Sequence, residues 1–586
     1  MGASLIQGER IASGVKAGIL LLLLLVGFLV LAASGAFASK MPPMNVVRVY
    51  YPDIETRNRI LISFESKLLG TRYEEGYHLL EATPADVQKL EALGLVVEED
   101  FLAFPRTRRL PGYSCYESVE ETFASAQALA ASHPDLVEWT DIGNSWEKDA
   151  GLGGYDIMAL RLTQSAVVAE KPKLLLTCAL HAREYTTAPL CLDFAEYLVN
   201  GYEGDSEARW LLDHHEIHLV LQANPDGRKK AESGLLWRKN TNQAYCGVSS
   251  VFRGADLNRN FPFQWNCCGG SSGNACENDF RGASPSSEPE ISALVDYGRS
   301  IFLDQRGPDP TDAAPVDASG VVIDVHSYGE LWLWPWGHSA TVAPNGNALQ
   351  TLGRKLAYSN SYWPGQAIGL YPTDGTSDDF FYGDLGVAAF TLELGTEFFE
   401  ACSVYETSIL PTTLPSLIYA AKVAGAPYET PSGPDVASIF SDGSTLFFGE
   451  VLQLTAEADD SRYNQSNGTE ASQEIAAAEY YVDNPPWAGG VPFPMSPVDG
   501  AFDSSVEGIT AEIQASDYSL GRHIVFVRAR DADGHWGAIS SLFITIVAPP
   551  MVPTLSLWVR LALVLGLITG GFAGVHRGNQ RFRSRR

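Results

Sequence analysis

A histidine and a glutamate stand three residues apart directly after an apolar run of the chain. His181 and Glu184 follow residues 174–180, Leu-Leu-Leu-Thr-Cys-Ala-Leu, a run typical of a buried strand. An imidazole nitrogen and a carboxylate oxygen at this spacing can bind one metal ion from the turn that leaves the strand. Because such pairs occur often by chance, the interpretation depends on a third ligand elsewhere.

His326 is the candidate third ligand. It ends a second apolar run, 321–325. Parallel strands of an open α/β sheet bring their carboxyl ends to one edge, where such sheets hold their sites. Two imidazoles and a carboxylate are a ligand set of catalytic zinc, with one position left open. His214 and His215 fit ordinary core or surface histidines better.

The elements needed to position these side chains are predicted between about Tyr113 and Val423. Short apolar runs alternate there with helical patterns. Alternation of this kind predicts an α/β fold, a mixed sheet flanked by helices. A small N-terminal α/β unit is predicted before it, with helices at Arg57–Leu69 and Thr83–Leu93. After a Pro/Gly break near residue 426, strand patterns predict an all-β, immunoglobulin-like domain. These patterns lie at 446–458, 477–482, 509–513, 523–530 and 540–547.

Both ends of the chain carry apolar stretches. At the N-terminus, basic residues precede the stretch 17–33, and Ala36-Phe37-Ala38 is a small-x-small site, which predicts a signal peptide cleaved after Ala38. A retained membrane anchor is the alternative. At the C-terminus, residues 555–575 are followed by five arginines, a stop-transfer pattern.

The start of the C-terminal stretch, Val552-Pro-Thr-Leu-Ser-Leu-Trp, resembles the sorting signals that exosortase-type transpeptidases of Gram-negative bacteria read. A plain membrane anchor is the alternative. Either interpretation predicts an exported protein, at the cell surface or secreted, with membrane or sorting machinery as a partner of the tail.

The composition excludes some functions. The chain has 586 residues and a net charge of −29, so several domains are expected and nucleic acid is excluded as the main partner. Four of the eight cysteines lie between Cys246 and Cys276, which suggests a loop stapled by disulfides in an exported protein. Cys178, inside an apolar run, is predicted to be a buried thiol.

Several motifs together resemble the funnelin zinc carboxypeptidases, the group that includes carboxypeptidases A, B and T. They are His181-Ala-Arg-Glu, Asn224-Pro-Asp-Gly, Trp237-Arg-Lys, Gly254-Ala-Asp-Leu-Asn-Arg-Asn, His326-Ser-Tyr, Leu370-Tyr-Pro-Thr-Asp-Gly and Phe390-Thr-Leu-Glu-Leu. The resemblance implies the zinc carboxypeptidase fold, one Zn²⁺ per catalytic domain, and hydrolysis of the C-terminal bond of peptides or proteins. A cell-wall peptide amidase on the same fold and a non-catalytic surface-binding protein are the alternatives.

The resemblance assigns the catalytic chemistry to individual residues. His181, Glu184 and His326 would bind zinc. Glu393 would be the general base that takes a proton from zinc-activated water and passes it to the leaving amine. Arg238 would polarise the scissile carbonyl and stabilise the oxyanion.

The resemblance also assigns substrate binding. Asn258 and Arg259 would hold the terminal carboxylate, which makes an exopeptidase. Tyr371 would close over the substrate, and Arg183 would bind its upstream backbone. Asp256 would accept the second N–H of the first zinc-binding histidine and so orient that ring.

The resemblance also bears on specificity. Counting back from Glu393 without gaps, Asp378 falls where the resembling enzymes place the residue at the base of the side-chain pocket, and an aspartate there would favour a C-terminal Lys or Arg, as in the B-type enzymes. Asp374 and Asp379 compete for this assignment, and a mixed specificity stays open. The resembling animal enzymes also carry a disulfide in the region that Cys246 and Cys276 flank.

Five segments are predicted. Residues 39–110 would be a propeptide removed at the basic segment 105–111, for which an ordinary linker is the alternative. The full division is 1–38 signal peptide, 39–110 propeptide, 111–425 catalytic domain, 426–548 β domain and 549–586 tail.

Overall fold

The computed structural model describes residues 45–52, 56, 60, 68–72, 77–82, 84–99, 110, 113–167, 170–250, 252–549 and 565. The chain forms two compact units that divide between Thr107 and Arg108.

The first unit contains a four-stranded antiparallel sheet of order β2-β3-β1-β4. Its elements are β1 Asn45–Tyr50, β2 Leu68–Arg72, β3 Tyr77–Ala82, α1 Pro84–Ala92 and β4 Val97–Glu99. The helix predicted at Thr83–Leu93 is confirmed as α1. The helix predicted at Arg57–Leu69 is wrong at its end, because Leu68 and Leu69 lie in β2, where Leu68 pairs with Leu80 of β3, a tertiary contact that local propensity does not reveal.

An eight-stranded mixed sheet of order β11-β10-β12-β9-β7-β8-β6-β5 forms the centre of the second unit. Its strands are β5 Val137–Asn144, β6 Asp156–Leu162, β7 Lys173–Cys178, β8 Glu216–Val220, β9 Val321–Ser327, β10 Leu331–Trp334, β11 Trp363–Gln366 and β12 Ala388–Leu394.

Helices surround this sheet, as the alternating pattern predicts. They are α2 Val119–Ser132, α3 Trp146–Asp149, α4 Thr187–Gly201, α5 Ser206–His214, α6 Pro225–Ala231, α7 Pro289–Ile301, α8 Gly346–Leu356, α9 Ser377–Leu385 and α10 Leu410–Val423. The start of α2 follows from its sequence, because Ser118 and Glu121 form a capping box.

The central strands β8, β7, β9 and β12 run parallel. Every residue of β9 is buried, as expected for a strand covered on both faces. In the register of the sheet, Cys178 lies opposite Val325, and His326 lies opposite Glu393. The carboxyl ends of β7, β9 and β12 therefore meet at one edge.

The C-terminal part of the second unit is all β, as predicted. Its strands are β13 Asp435–Ser441, β14 Thr445–Phe447, β15 Val451–Asp459, β16 Ile475–Val482, β17 Phe493–Pro497, β18 Val506–Gln514, β19 Gly521–Asp531 and β20 Ser540–Val547. Strand β17 pairs with both β16 and β18, and alternate side chains from all eight strands form one core. We refer to this part as the β domain; its immunoglobulin-like topology stays a prediction.

All eight cysteines are paired. The disulfides are Cys115–Cys402, Cys178–Cys191, Cys246–Cys276 and Cys267–Cys268. Cys178 is buried, as predicted, but the prediction that it is a thiol is wrong, because helix α4 brings Cys191 to the end of β7.

Among the residues that the structure describes, none belongs to a helix that is both long and apolar enough to cross a bilayer. The predicted signal peptide lies outside the described residues, as does the C-terminal apolar stretch apart from Leu565.

Candidate active site

Three potential metal ligands meet at the carboxyl edge of the central strands. His181 and Glu184 lie in the turn between β7 and α4, and His326 is the penultimate residue of β9. His181 Nδ1 lies 2.9 Å from Glu184 Oε1, and His326 Nδ1 lies 3.0 Å from both His181 Nδ1 and Glu184 Oε2. All three side chains are buried.

The donor set fits zinc. Two imidazole nitrogens and a carboxylate are ligands that zinc takes in catalytic sites, and the ligands of tetrahedral zinc lie about 3.3 Å apart for bonds of about 2.0–2.1 Å. The ring nitrogen on the far side of each imidazole faces a carboxylate: His181 Nε2 lies 3.0 Å from Asp256 Oδ1, and His326 Nε2 lies 2.8 Å from Asp324 Oδ2. These carboxylates favour a proton on Nε2, which leaves each Nδ1 lone pair for a metal. Among the residues that the structure describes, His181, Glu184 and His326 are the one cluster of three or more His, Cys, Asp or Glu side chains that could hold a metal ion.

Asp324 is a site residue that the sequence reasoning missed. It lies on the same face of β9 as His326, two residues earlier, and also accepts a hydrogen bond from Ser377 Oγ. The alternation of side chains along a strand could have identified it, since residues i and i+2 share a face.

Neighbouring charges shift the pKa values of the buried candidate ligands. Burial raises the pKa of the Glu184 carboxyl, but His181 and His326 outweigh burial and hold that pKa well below its usual range. Burial lowers the pKa of His326, but Asp324 and Glu184 outweigh burial and raise it. Surroundings that stabilise a protonated imidazole also stabilise a metal cation, so the buried charges favour a dication at this position.

Asp256 connects the first histidine to an arginine. Its Oδ2 accepts hydrogen bonds from Arg238 Nε at 3.0 Å and Nη2 at 2.9 Å, while its Oδ1 accepts from the Asn258 N–H at 3.1 Å. Asp256 is fully buried, and its pKa is well below the usual range because Arg238 and His181 together outweigh burial. Arg238 is thus held beside the metal ligands with its side chain 15% exposed.

Glu393 stands beside the metal ligands because its strand pairs in parallel with β9, opposite His326. It lines a cavity of about 50 Å³ together with both histidines. Burial raises the pKa of Glu393 to about 8, opposed by His326 and reinforced by Glu184. A dication bound at the ligands would act in the same direction as His326 and favour the carboxylate.

Five more of the predicted residues line the same cavity: Arg238, Asn258, Arg259, Tyr371 and Asp378. A neighbouring cavity of about 260 Å³ shares Arg238, Arg259 and Tyr371 and adds Arg183. Tyr371 is 49% exposed at this mouth. The two cavities thus form one cleft with the metal ligands at its base.

Arg259 is held rigidly. Its Nη1 donates to Asn258 O at 2.6 Å and its Nε to Gly270 O at 3.2 Å, which leaves Nη2 for a ligand. Gly270 has no space for a side chain, since a Cβ there would lie 2.3 Å from the backbone of Thr373. The loop that supports Arg259 is therefore packed directly on the segment that follows Tyr371.

The structure separates the three aspartates that compete for the pocket base. Asp374 accepts hydrogen bonds from the N–H groups of Cys268 and Gly270, and Asp379 accepts from Gly337 N and His338 N, so both bind protein backbone. Asp378 lines the small cavity. Burial, reinforced by the adjacent Asp379, raises the pKa of Asp378 to about 7.

Comparison with known proteins identifies the family of the part of the chain that contains this site. The family model for zinc carboxypeptidases matches residues 123–412. A zinc carboxypeptidase of Saccharothrix mutabilis subsp. capreolus is 32% identical over 324 residues, which cover 52% of this chain and 68% of that protein. The chain belongs to the zinc carboxypeptidase family. It is a metallocarboxypeptidase, a hydrolase that uses zinc and acts on the C-termini of peptides or proteins.

The chain is also similar to two other known proteins. Carboxypeptidase B2 of Bos taurus is 27% identical over 322 residues, 53% of this chain and 70% of that protein. The crystal structure of thrombin activatable fibrinolysis inhibitor superposes with a TM-score of 0.47 and 21% identity, covering 66% of this chain and 99% of that one. The matched family region ends before the β domain begins.

Proposed function

We propose that this carboxypeptidase hydrolyses the last peptide bond of its substrate with Glu393 as general base and prefers a C-terminal Lys or Arg. The observation that carries the proposal is the composition of the small cavity. Side chains able to bind a metal, move a proton and bind a carboxylate all face it, and Asp378 lies in its wall.

His181, Glu184 and His326 would hold the zinc ion, which when bound supplies Lewis-acid chemistry that acidifies water and polarises a carbonyl. Glu393 would accept a proton from the attacking water on its carboxylate and deliver it to the leaving amine nitrogen. Its raised pKa suits both transfers, because a group that titrates near neutral pH can accept a proton and release it.

Arg238 would donate hydrogen bonds to the scissile carbonyl oxygen as negative charge develops there. Asp256 keeps the guanidinium in place before substrate arrives, so little reorganisation is needed during the reaction. Arg183, whose guanidinium lies 3.9 Å from the centre of the Phe398 ring, would bind the substrate backbone further upstream.

Asn258, Arg259 and Tyr371 support an exopeptidase over an amidase on the same fold. The position of Arg259 in the cleft allows Nη2 to bind a free terminal carboxylate, which an internal peptide bond lacks. Tyr371, half exposed at the mouth, would cover the bound residue and exclude water.

Asp378 supports the basic preference. A lysine or arginine side chain that enters a buried pocket loses its hydration, and an opposite charge must compensate. Asp378 is buried, and a cation beside it would favour its ionised form.

Two proposals concern processing and location. The basic segment 105–111 contains the boundary between the two compact units, which supports removal of the first unit as a propeptide there. Four disulfides support an oxidising compartment and hence an exported protein, on the cell surface or secreted. Recognition of the tail by a sorting transpeptidase stays a prediction from the sequence.

Hydrolysis of two blocked dipeptides, one ending in Arg and one in Phe, tests the proposed function. We expect release of the terminal residue that a zinc chelator abolishes, with a higher kcat/KM for the Arg substrate. Glu393→Gln should lower kcat by about 10²–10⁴-fold while the protein still binds zinc.

Two results would contradict this. Folded, zinc-loaded protein that releases no terminal residue would argue against an exopeptidase, and equal activity of Glu393→Gln would argue against the assigned base. An N-acetylated peptide with an amidated C-terminus serves as control, since it offers Arg259 no carboxylate and should resist hydrolysis.

A further inference from the structure

The β domain contacts the catalytic sheet through a loop, residues 461–470, between β15 and β16. This loop lies against α8 and β11. Arg354 on α8, with its side chain 3% exposed, donates from Nη1 to Gly468 O at 2.6 Å and to Asn464 O at 3.2 Å, and from Nη2 to Asn467 O. Arg354 also pairs with Glu470 at 3.3 Å.

The same loop binds the backbone that leads into β11. Asn464 Nδ2 donates to Ala357 O at 3.1 Å and to Tyr362 O at 2.8 Å, and Asn467 Nδ2 donates to Pro364 O at 2.8 Å. Side chains of the β domain therefore donate hydrogen bonds to a carbonyl group at the end of α8 and to two carbonyl groups at the edge of the catalytic sheet, which would otherwise face solvent or remain unpaired.

Tyr362 carries this contact toward the active site. Its side chain is buried, and its hydroxyl accepts a hydrogen bond from Gly395 N at 3.1 Å. Gly395 directly follows β12, two residues after Glu393, and its carbonyl accepts from Gly329 N at 3.0 Å. Glycine is favoured there, because φ is +56° and an added Cβ would lie 2.7 Å from Ile409 Cδ1, which would have to shift.

Strand β11 also continues into the wall of the cleft. The next residues, Ala367, Leu370 and Tyr371, line the small cavity. The loop is thus connected to the site in two ways. Asn464 binds Tyr362, which holds the end of the strand that carries Glu393, and Asn467 binds β11, which continues into the segment that carries Tyr371.

We propose that the β domain is a positioning part of this active site, in which Asn464 acts through Tyr362 to hold the end of the strand that carries Glu393. This rests on the proposed function, since it assigns Glu393 the proton transfer. A general base displaced by a fraction of an ångström loses rate while substrate binding at Arg259 is unaffected. The domain is then part of the enzyme rather than a separate binding module.

The test compares Asn464→Ala and Tyr362→Phe with a control at the same domain interface. Arg522 is the matched control, because its side chain also donates two hydrogen bonds across the interface, both to Glu203. In the full chain we expect kcat to fall about tenfold in each test variant, with KM and zinc content within twofold of wild type. Arg522→Ala should change kcat by less than twofold.

The double variant tests the connection between the two residues. If Asn464 acts through Tyr362, the loss in kcat for the pair should stay near tenfold, whereas independent effects would multiply to about a hundredfold. A hundredfold loss, or equal kcat values for Asn464→Ala and Arg522→Ala, would overturn the proposal.

Hydrogen–deuterium exchange gives a readout that does not depend on activity. Peptides that contain the Gly395 amide should exchange faster in Asn464→Ala and Tyr362→Phe than in wild type, and not in Arg522→Ala. Unchanged exchange would overturn the proposal even in an active enzyme. Faster exchange in a protein without chelator-sensitive hydrolysis would support the contact and reject only the proposed function.

Discussion

The substitution Asp256→Asn separates the contribution of a positioning carboxylate from that of the zinc ligands themselves. Asp256 accepts four hydrogen bonds, from His181 Nε2, the Asn258 N–H and two nitrogens of Arg238. The asparagine side chain has the same shape but only one oxygen. If that oxygen continues to accept from the charged Arg238, the asparagine NH₂ group faces His181 Nε2.

His181 then has two unfavourable choices. With its proton on Nε2, two donors face each other in a buried site, which costs about 1–3 kcal/mol. With its proton on Nδ1, the ring accepts from the amide, but the nitrogen that faces Glu184 no longer has a lone pair for zinc. Loss of such a partner typically weakens metal affinity about 10–100-fold, or about 1.4–2.7 kcal/mol.

Competition with a chromophoric chelator measures the zinc dissociation constant directly. We expect Asp256→Asn to raise it about 10–100-fold at neutral pH, with circular dichroism unchanged. Asp374→Asn is the matched control, because Asp374 is equally buried and binds three donors of the loop at Cys268, Gly270 and Ser271 rather than a zinc ligand. A dissociation constant for Asp256→Asn within threefold of wild type, or an equal change in the control, would refute the reasoning.

Two other substitutions have defined outcomes. Asp378→Asn should lower kcat/KM about 100-fold for a peptide ending in Arg but less than threefold for one ending in Phe, since only the cation loses a buried partner; equal losses would contradict the pocket assignment. Burial and Glu288 raise the pKa of Glu290 from 4.5 to about 8, so the folded state retains a proton that the unfolded chain releases. The free energy of unfolding should therefore fall as pH rises from about 4.5 to 8, by up to about 1.4 kcal/mol per unit. Denaturant titrations at several pH values should show that the free energy of unfolding depends less steeply on pH in Glu290→Gln than in wild type. An unchanged pH dependence would assign the effect to another group.

The central strands and the meeting of His181, Glu184 and His326 were predictable because their signals are local. Strands buried on both faces read as continuous apolar runs, as in β7 and β9, and the ligands follow these runs within a few residues. The short strands β10 and β11 and the β2 strand were missed, since their conformation depends on pairing partners elsewhere in the chain. In the β domain, strand β17 was missed for the same reason, as it pairs with strands on both sides.

The amino-acid sequence by itself determined the family. It also predicted His181, Glu184 and His326 as metal ligands and Glu393 as the general base, because each lies in a motif that can be read without knowing what lies nearby in space. Only the tertiary structure decided which of three neighbouring aspartates lines the cavity, that Asp324 supports His326, and how the cysteines pair. It also revealed the contact of Asn464 with Tyr362, about a hundred residues apart. These features depend on distances between distant segments, which arise when the sheet register and the packing of the β domain are set, and no local pattern encodes them.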